Sequence, residues 1–345
     1  MQKIKTQDAV GQVVCHDITQ TIKAVKTGVL FKKGHIVQEA DIEKLLAVGK
    51  DHLYIYEANA QMLHENEAAK LLYQACAGEW ASMKPTPVQE GKIEVIATRA
   101  GLLKVDTKRL QLVNEIGNLI IATRHNNTVV KAGDTLAGMR IIPLVIAKEI
   151  MTKLASISNQ EPLLQIKEFQ RFTVGVIITG NEVYHGRIAD TFTEVIALKL
   201  QNYHLKIDYH RVVPDEVDAI KSAIEAFCEQ GVQLIICTGG MSVDPDDVTP
   251  LAIKKAGAKI LTYGAPVLPG SMLLIGYLKN DIPILGLPGC VMYAKTTSFD
   301  LIFPRILAKD PLTNAEIAAF GHGGLCRKCH NCTFPHCEFG KGSVS

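Results

Sequence analysis

The chain has 345 residues, 47% of them hydrophobic, with 37 Lys and Arg against 35 Asp and Glu for a formal net charge of +2. That length favours two or more domains with a sizeable core, and so balanced a charge gives no electrostatic case for nucleic acid as a partner. No apolar run approaches the roughly 18–20 residues of a membrane helix, and MQKIKTQDAVGQ lacks the apolar stretch of a secretory signal, so the expectation is a cytoplasmic protein with no membrane partner.

Residues 1–60 read as a small mixed α/β module. GVLFKKGH (28–35) has the pattern of a strand and a turn, 40–48 places Ile42, Leu45 and Leu46 at helical spacing before Gly49, and 52–56 alternates as a short strand. Residues 61–170 form a second region, a helix followed by β-rich chain. The helix covers 64–77, and the polar stretch 83–91, with two prolines, reads as a linker. Within 92–148 the apolar, β-branched runs 93–97 and 119–123 predict strands, and Asn126-Asn127 offers a hairpin turn before Val129-Val130. A helix and a connector are expected over 145–170.

From 171 the rhythm becomes strand–helix alternation. Strands are predicted at 172–178, 205–213 and 234–237, and helices at 191–202, 216–230, 250–256 and 291–308. Ile220, Ala223, Ile224 and Phe227 mark one face of the second helix. In the third, Thr249 is the expected N-cap, with Pro250 at the first helical position and Gly257 at the stop. Two glycine–proline turns, GAPVLPGS (264–271) and GLPG (286–289), separate the last two helices. The pattern predicts an α/β fold over 171–310, a mostly parallel sheet with helices on both faces, preceded by the smaller α+β and β-rich modules. Residues 311–345 make a separate cysteine-rich tail.

Ligands of open parallel sheets bind at the carboxyl ends of the strands, where Thr179-Gly180 and Thr238-Gly239-Gly240 both fall. Glycines let the backbone approach an anion closely. Yet CTGGMSVDPDDVTP (237–250) follows its glycines with Ser242 and the carboxylates Asp244, Asp246 and Asp247, which would repel a bare phosphate. A divalent cation resolves the conflict, because Mg²⁺ bridges carboxylate and phosphate oxygens. Glu182, Asp215 and Asp247, one after each of three strands, are the candidates; as helix caps and turn formers Asp215 and Asp247 would need no metal.

TGNEV (179–183), Asp190-Thr191, Pro214-Asp215, TGGMSVDPDDVTP, the LPGS turn and GLPG, in this order and spacing over 172–308, resemble the molybdopterin-binding domain shared by molybdopterin adenylyltransferases and molybdopterin molybdenumtransferases. The resemblance implies molybdopterin or adenylylated molybdopterin as ligand, molybdate as co-substrate and Mg²⁺ on the pyrophosphate. Carried over, Asp247, Asp215 and Glu182 are the catalytic, magnesium-holding carboxylates. Thr179, Gly180, Asp190, Thr238, Gly239, Gly240, Ser242, Pro269, Gly270, Ser271, Pro288 and Gly289 line the cofactor. The motifs depart from the family at Leu268 and Ser271, where lysines are usual, and at Phe192 and Cys290, where asparagines are. AVGQVVCHDIT (9–19) and residues 31–57 resemble N-terminal segments of the transferases, but the Ser-Ala-Met-Asp-Gly motif of that region is absent.

Of nine cysteines, Cys15, Cys76, Cys228, Cys237 and Cys290 are scattered and read as buried thiols. The rest form CRKCHNCTFPHC (326–337). Four thiols in twelve residues, in a reducing compartment, point to metal ligation by Cys326, Cys329, Cys332 and Cys337, either an iron–sulfur cluster or zinc, with His322, His330 and His336 as alternative ligands. The GHGG stretch (321–324) suggests a flexible connection.

The expected function is magnesium-dependent molybdate insertion in molybdenum cofactor biosynthesis. One alternative is a non-catalytic molybdopterin carrier or maturation factor serving a molybdoenzyme client; another is a molybdopterin adenylyltransferase. Related binding domains self-associate, so a homo-oligomer is also an expectation of the resemblance.

Overall fold

The computed structural model describes residues 2–22, 25–55, 61–77, 82–158, 161–242, 244–245 and 247–342. The chain divides into two compact units, one of residues 1–99, 104–126 and 131–165, the other of residues 100–103, 127–130 and 166–345. No helix among the described residues is long and apolar enough to cross a membrane.

In the first unit Gln2–Lys5 pairs antiparallel with His52–Ile55, and Ile18–Ile22 with Val25–Phe31. Helix Glu39–Ala47 adds Leu45 to a core of Ala9, Val14, Ile18, Phe31, Val37 and Leu53. Helix Glu65–Ala77 buries Ala68, Ala69, Leu72 and Cys76. Beside it lies an antiparallel sheet ordered Met83–Pro85, Lys92–Ala97, Thr135–Ile141, Leu119–Thr123. The polar stretch from 83 is thus partly strand, and Pro85 is tolerated because Met83–Pro85 is an edge. Asn126-Asn127 joins no hairpin: Leu119–Thr123 pairs with Thr135–Ile141 instead, and the Asn126 side chain accepts a hydrogen bond from the Val105 N–H.

His64 is buried in this unit with both ring nitrogens engaged. Nδ1 accepts the Asn66 N–H at 3.2 Å and Nε2 faces the Cys15 carbonyl at 2.9 Å, which fixes a neutral ring protonated on Nε2. Burial, chiefly, holds the pKa of His64 and of the neighbouring His16 below the ordinary imidazole value. A depressed imidazole contributes stability above its unfolded value of about 6.5 and loses it as pH falls toward the folded one. The first unit should therefore unfold more readily as pH drops from about 7.5 to about 5, and His64→Gln should flatten that slope. Residue-resolved hydrogen exchange across this range checks it; a slope indifferent to His64→Gln would refute it.

The second unit is built on a six-stranded sheet. Its strands are β1 (Val174–Thr179), β2 (Tyr209–Val213), β3 (Leu234–Thr238), β4 (Lys259–Tyr263), β5 (Leu274–Tyr277) and β6 (Pro283–Leu287), in the order β2-β1-β3-β6-β5-β4. The first four in that order are parallel; β5 runs antiparallel to β6, and β4 antiparallel to β5, so that β5 alone opposes the rest. Strand alternation sends Val174, Val176 and Ile178 to one face, with Ile196 and Leu200 of α1 (Phe192–Gln201) and Phe299 and Phe303 of α4 (Ser298–Leu307). Ile177, Ile235 and Cys237 face the other way, toward Ile220, Ile224 and Phe227 of α2 (Val217–Glu229) and Ile253 of α3 (Thr249–Lys255). Helices thus cover both faces of a mostly parallel sheet, as the alternation predicts.

Two helix starts differ from expectation. Val248, not Thr249, is the N-cap of α3; the Thr249 hydroxyl is drawn instead to the Gly239 carbonyl. The helix expected over 291–308 is a short 3-10 turn, Gly289–Met292, and then α4, which starts late because Thr297 and Asp300 form a capping box there.

Candidate functional site

Strands β1, β2 and β3 are parallel neighbours, so their carboxyl ends share one edge of the sheet. The loop after β3 is pressed against the end of β1. A Cβ at Gly239 would lie 2.0 Å from the Thr179 carbonyl oxygen, and Gly239 has φ +94°, so only glycine fits. The Thr249 hydroxyl ties this turn down, donating to the Gly239 carbonyl at 2.9 Å and lying 3.2 Å from the Thr179 hydroxyl. Tyr263 holds the next two residues, its hydroxyl 3.0 Å from the Met241 carbonyl and 3.1 Å from that of Ser242.

The loops after β1 and β2 clasp each other. Asp215 Oδ2 accepts the Asn181 N–H at 2.8 Å, and Asn181 Oδ1 accepts the Asp215 N–H at 3.4 Å. The other carboxylate oxygen, Asp215 Oδ1, is buried without a partner, as is the Thr238 hydroxyl at the end of β3. A Cβ on Gly240 would stand 3.6 Å from Asp215 Oδ1, so this oxygen is turned toward the glycine loop. Leaving such an atom unsatisfied costs about 1–3 kcal/mol, more when charged.

A cavity of about 1110 Å³ opens at this edge. Gly239, Gly240, Ser242, Asp247, Pro269, Gly270, Ser271, Pro288 and Gly289 all line it. The Pro269–Ser271 turn is fastened by Ser298, whose hydroxyl donates to the Gly270 carbonyl at 2.6 Å and whose N–H donates to that of Pro269 at 3.2 Å. Asp247 is held by Asp244: its Oδ2 accepts the Asp244 N–H at 3.0 Å and its own N–H donates to the Asp244 carbonyl at 2.9 Å. Burial first, and then the Asp247 charge, push the Tyr263 hydroxyl pKa up. Asp246 lies outside the described residues.

Thr179, Gly180, Glu182, Asp190, Asp215 and Thr238 do not line the cavity. Asp215, Thr179 and Thr238 stand directly behind the glycine loop; Glu182 is exposed on the short helix Asn181–Tyr184. Asp190 is occupied with the start of α1. Its Oδ1 accepts the N–H groups of Phe192 at 2.9 Å and Thr193 at 3.2 Å, while its Oδ2 takes the Thr193 hydroxyl and lies 3.5 Å from His210 Nε2.

Some lining residues carry no sequence signal for the site. Lys295, Arg327 and Lys328 bring cations to a cavity whose 268–271 turn lacks the usual lysines. Cys290, expected as a buried thiol, is half-buried and faces the cavity. The tail is there too: Cys326, Cys329, Cys332 and Cys337 are all lining residues, and Cys329 and Cys332 are exposed. The Thr296 hydroxyl, 3.5 Å from Cys332 Sγ, is the largest influence lowering that thiol's pKa. The GHGG segment is not a loose connection, for the Leu268 N–H donates to the Gly324 carbonyl and the Cys326 N–H to the Leu268 carbonyl, each at 2.8 Å. Among the described residues no three His, Cys, Asp or Glu side chains are grouped so as to hold a metal ion, so neither the carboxylate trio nor the thiol set is a ready-made cage.

Residues 175–308 match the family described as "Probable molybdopterin binding domain", and this part of the chain belongs to that domain family. Residues 3–57 match a family described as a domain of unknown function (DUF8806). A CinA-like protein of Amoebophilus asiaticus is 36% identical over 80 residues, 23% of this chain and 19% of that protein. A molybdopterin molybdenumtransferase of Synechococcus elongatus is 24% identical over 153 residues, 42% of this chain and 38% of that protein. The chain thus spans about a fifth of the first relative and under two fifths of the second. Among solved structures, the molybdopterin biosynthesis enzyme MoaB of Thermus thermophilus aligns with 41% of this chain and 98% of its own, at 23% identity and a TM-score of 0.34.

Proposed function

We propose that this protein acts in molybdenum cofactor biosynthesis, taking molybdopterin or adenylylated molybdopterin into the 1110 Å³ cavity and inserting molybdate with the help of Mg²⁺. The observation that carries this reading is the convergence of three separate loops, 239–242, 269–271 and 288–289, on that one cavity. Glycine-lined backbone approaches the phosphate; Lys295, Arg327 and Lys328 offset its charge; exposed apolar walls at Leu268 and Tyr293 suit a flat heterocycle.

Two carboxylates support the magnesium part of this reading, although they are not gathered into a ready-made site. Asp215 Oδ1 has no other partner and is turned toward the glycine loop, and Asp247 faces the cavity. Asp215 and Asp247 would hold the ion, and Glu182, exposed on its short helix, is the third carboxylate of the same reading. The ion would supply Lewis-acid polarisation of the pyrophosphate. The chain's own residues do the rest: Thr249 and Tyr263 keep the loop preorganised, and the Asn181–Asp215 clasp keeps the carboxylate aimed. The tail cysteines would carry an iron–sulfur cluster or zinc. Cytoplasmic location and self-association belong to the same reading.

A second reading, a molybdopterin carrier for a molybdoenzyme client, is favoured by one feature: Glu182 stands outside the cavity that the binding loops share. Adenylyl transfer would instead require ATP consumption with pyrophosphate release. Protein purified without oxygen should retain a pterin, identified by mass spectrometry after release, or bind added molybdopterin stoichiometrically. Turnover of the adenylylated form with molybdate selects the enzyme, and retention without turnover selects the carrier. Failure to hold any pterin rejects both.

A further inference from the structure

The cavity straddles the end of the sheet, and its two lips belong to opposite faces. Met241 of the glycine loop and Val248, next to Asp247, pack into the core on the α2–α3 face. Cys326, Phe334, Cys337 and Phe339 of the tail pack into the core on the α1–α4 face. The tail is anchored there at both ends. Leu325 forms a parallel bridge with Leu268, and the Cys326 N–H donates to the Leu268 carbonyl at 2.8 Å. At the far end the Gly340 N–H donates to the Gly323 carbonyl at 2.9 Å.

The charges divide the same way. Asp247 lines the glycine-loop lip, and Asp215 stands behind it. Lys295, just before α4, and Arg327 and Lys328 line the other lip, and all three are exposed. Among the described lining residues, the one carboxylate on that side is Glu338, whose Oε1 is 3.7 Å from Arg327 Nη1. Both side chains of this pair are mostly exposed, so the pair is weak and yields to a better-placed anion. Lys328 sits at φ +52°, a conformation that costs a lysine more than a glycine, and its N–H donates to Cys326 Sγ at 3.5 Å. The turn that carries the two tail cations is therefore fixed in place.

The two lips are far apart on the scale of a phosphate. β3, which leads into the glycine loop, and β5, which follows the Pro269–Ser271 turn, are separated by β6 alone, about 10 Å at strand spacing. A sphere of the cavity's volume is about 13 Å across. A phosphate seated on the glycine loop leaves the tail cations without a partner, and the adjacent phosphates of a diphosphate are too close together to reach both lips.

We propose that Lys295, Arg327 and Lys328 form a second anion subsite, which receives an anionic group at the far end of the ligand, about 10 Å from the phosphate on the glycine loop. The inference rests on the phosphate cradle of the proposed function and adds the class of ligand: an elongated molecule with an anionic group at each end, with the heterocycle between them.

The test uses the full-length, reduced protein at fixed Mg²⁺ concentration and ionic strength. Its probes are three adenine nucleotides that differ only at the exocyclic nitrogen, far from the phosphate. AMP carries nothing there, adenylosuccinate carries two carboxylates, and aminohexyl-AMP carries an ammonium group. Equilibrium dialysis should rank them in the order adenylosuccinate, AMP, aminohexyl-AMP, with adenylosuccinate about five- to tenfold tighter than AMP. In Arg327→Gln/Lys328→Gln, whose two positions are exposed and whose fold is checked by circular dichroism, that ratio should fall below about twofold. Lys295→Gln, made separately, should lower the same ratio and carries the comparison if the double variant misfolds. AMP binding with no preference for adenylosuccinate, or with aminohexyl-AMP the tightest, overturns the subsite while leaving the phosphate cradle. A preference that survives in the folded variants also overturns it, because the carboxylates then sit elsewhere. Absence of binding by all three overturns the subsite together with the cradle.

Discussion

Gly239→Ala is expected to destabilise the second unit by about 2–5 kcal/mol and to abolish ligand binding in the cavity. Two penalties combine. At φ +94° an L-residue is strained whatever its surroundings, by about 1–2 kcal/mol. The new methyl would also stand 2.0 Å from the Thr179 carbonyl oxygen and 2.7 Å from its hydroxyl. Relief requires the loop to lift off the end of β1, because the atom it meets is backbone of a buried strand and not the end of a flexible side chain. Lifting the loop breaks the Thr249 bond to the Gly239 carbonyl and moves Gly240 and Ser242, which line the cavity. Gly257→Ala separates the two penalties. Gly257 has φ +90° but nothing within 4 Å of its would-be Cβ, so it carries the backbone strain alone. Denaturant unfolding of both variants measures the difference. Equal losses would mean that the loop is not pinned against Thr179, and the cradle would lose its structural basis.

The pinning explains which parts of this protein could be read from its sequence. Strands such as Val174–Thr179, buried at every position, announce themselves as unbroken apolar runs, and the i, i+3, i+4, i+7 face of α2 is local too. The strand-end glycines were legible because chain ends at a parallel sheet edge follow from topology. Thr249 misled for a physical reason: beside Pro250 it has the chemistry of an N-cap, but its hydroxyl has a better use ten residues back, on a carbonyl that local pattern does not place nearby. Asp190 has the same ambiguity resolved the other way, its carboxylate spent on the first turn of α1. The cysteine wall was the least legible element. Its chemistry is plain in CRKCHNCTFPHC, but its location depends on a bridge between Leu268 and Leu325, more than fifty residues apart. Arg327 and Lys328 arrive at the cavity with it.

The second large effect concerns chemistry without stability. Asp247→Asn should lower turnover of adenylylated molybdopterin with molybdate by about 10²–10³-fold, the usual consequence of removing one preorganised charge from a transition-state site. The fold should be unchanged. Asparagine is isosteric, and its carbonyl oxygen can still accept the Asp244 N–H that Asp247 Oδ2 accepts at 3.0 Å, while the backbone bond between the same residues is untouched. Only the negative charge facing the cavity is lost. Its removal should also raise the Mg²⁺ concentration needed for half-maximal rate, which a change in pterin affinity alone would not do. Asp215→Asn should act differently. Asp215 Oδ2 accepts the Asn181 N–H while Oδ1 is buried without a partner, so an amide must present its NH₂ to one of them. If that group takes the Oδ2 position, the clasp between the first two loops is broken; if it takes the Oδ1 position, a donor faces the place reserved for a cation. A thermal shift in Asp215→Asn beside none in Asp247→Asn, with turnover lost in both, is the expected pair of results. Full turnover in Asp247→Asn at limiting Mg²⁺ would remove the carboxylate from the mechanism.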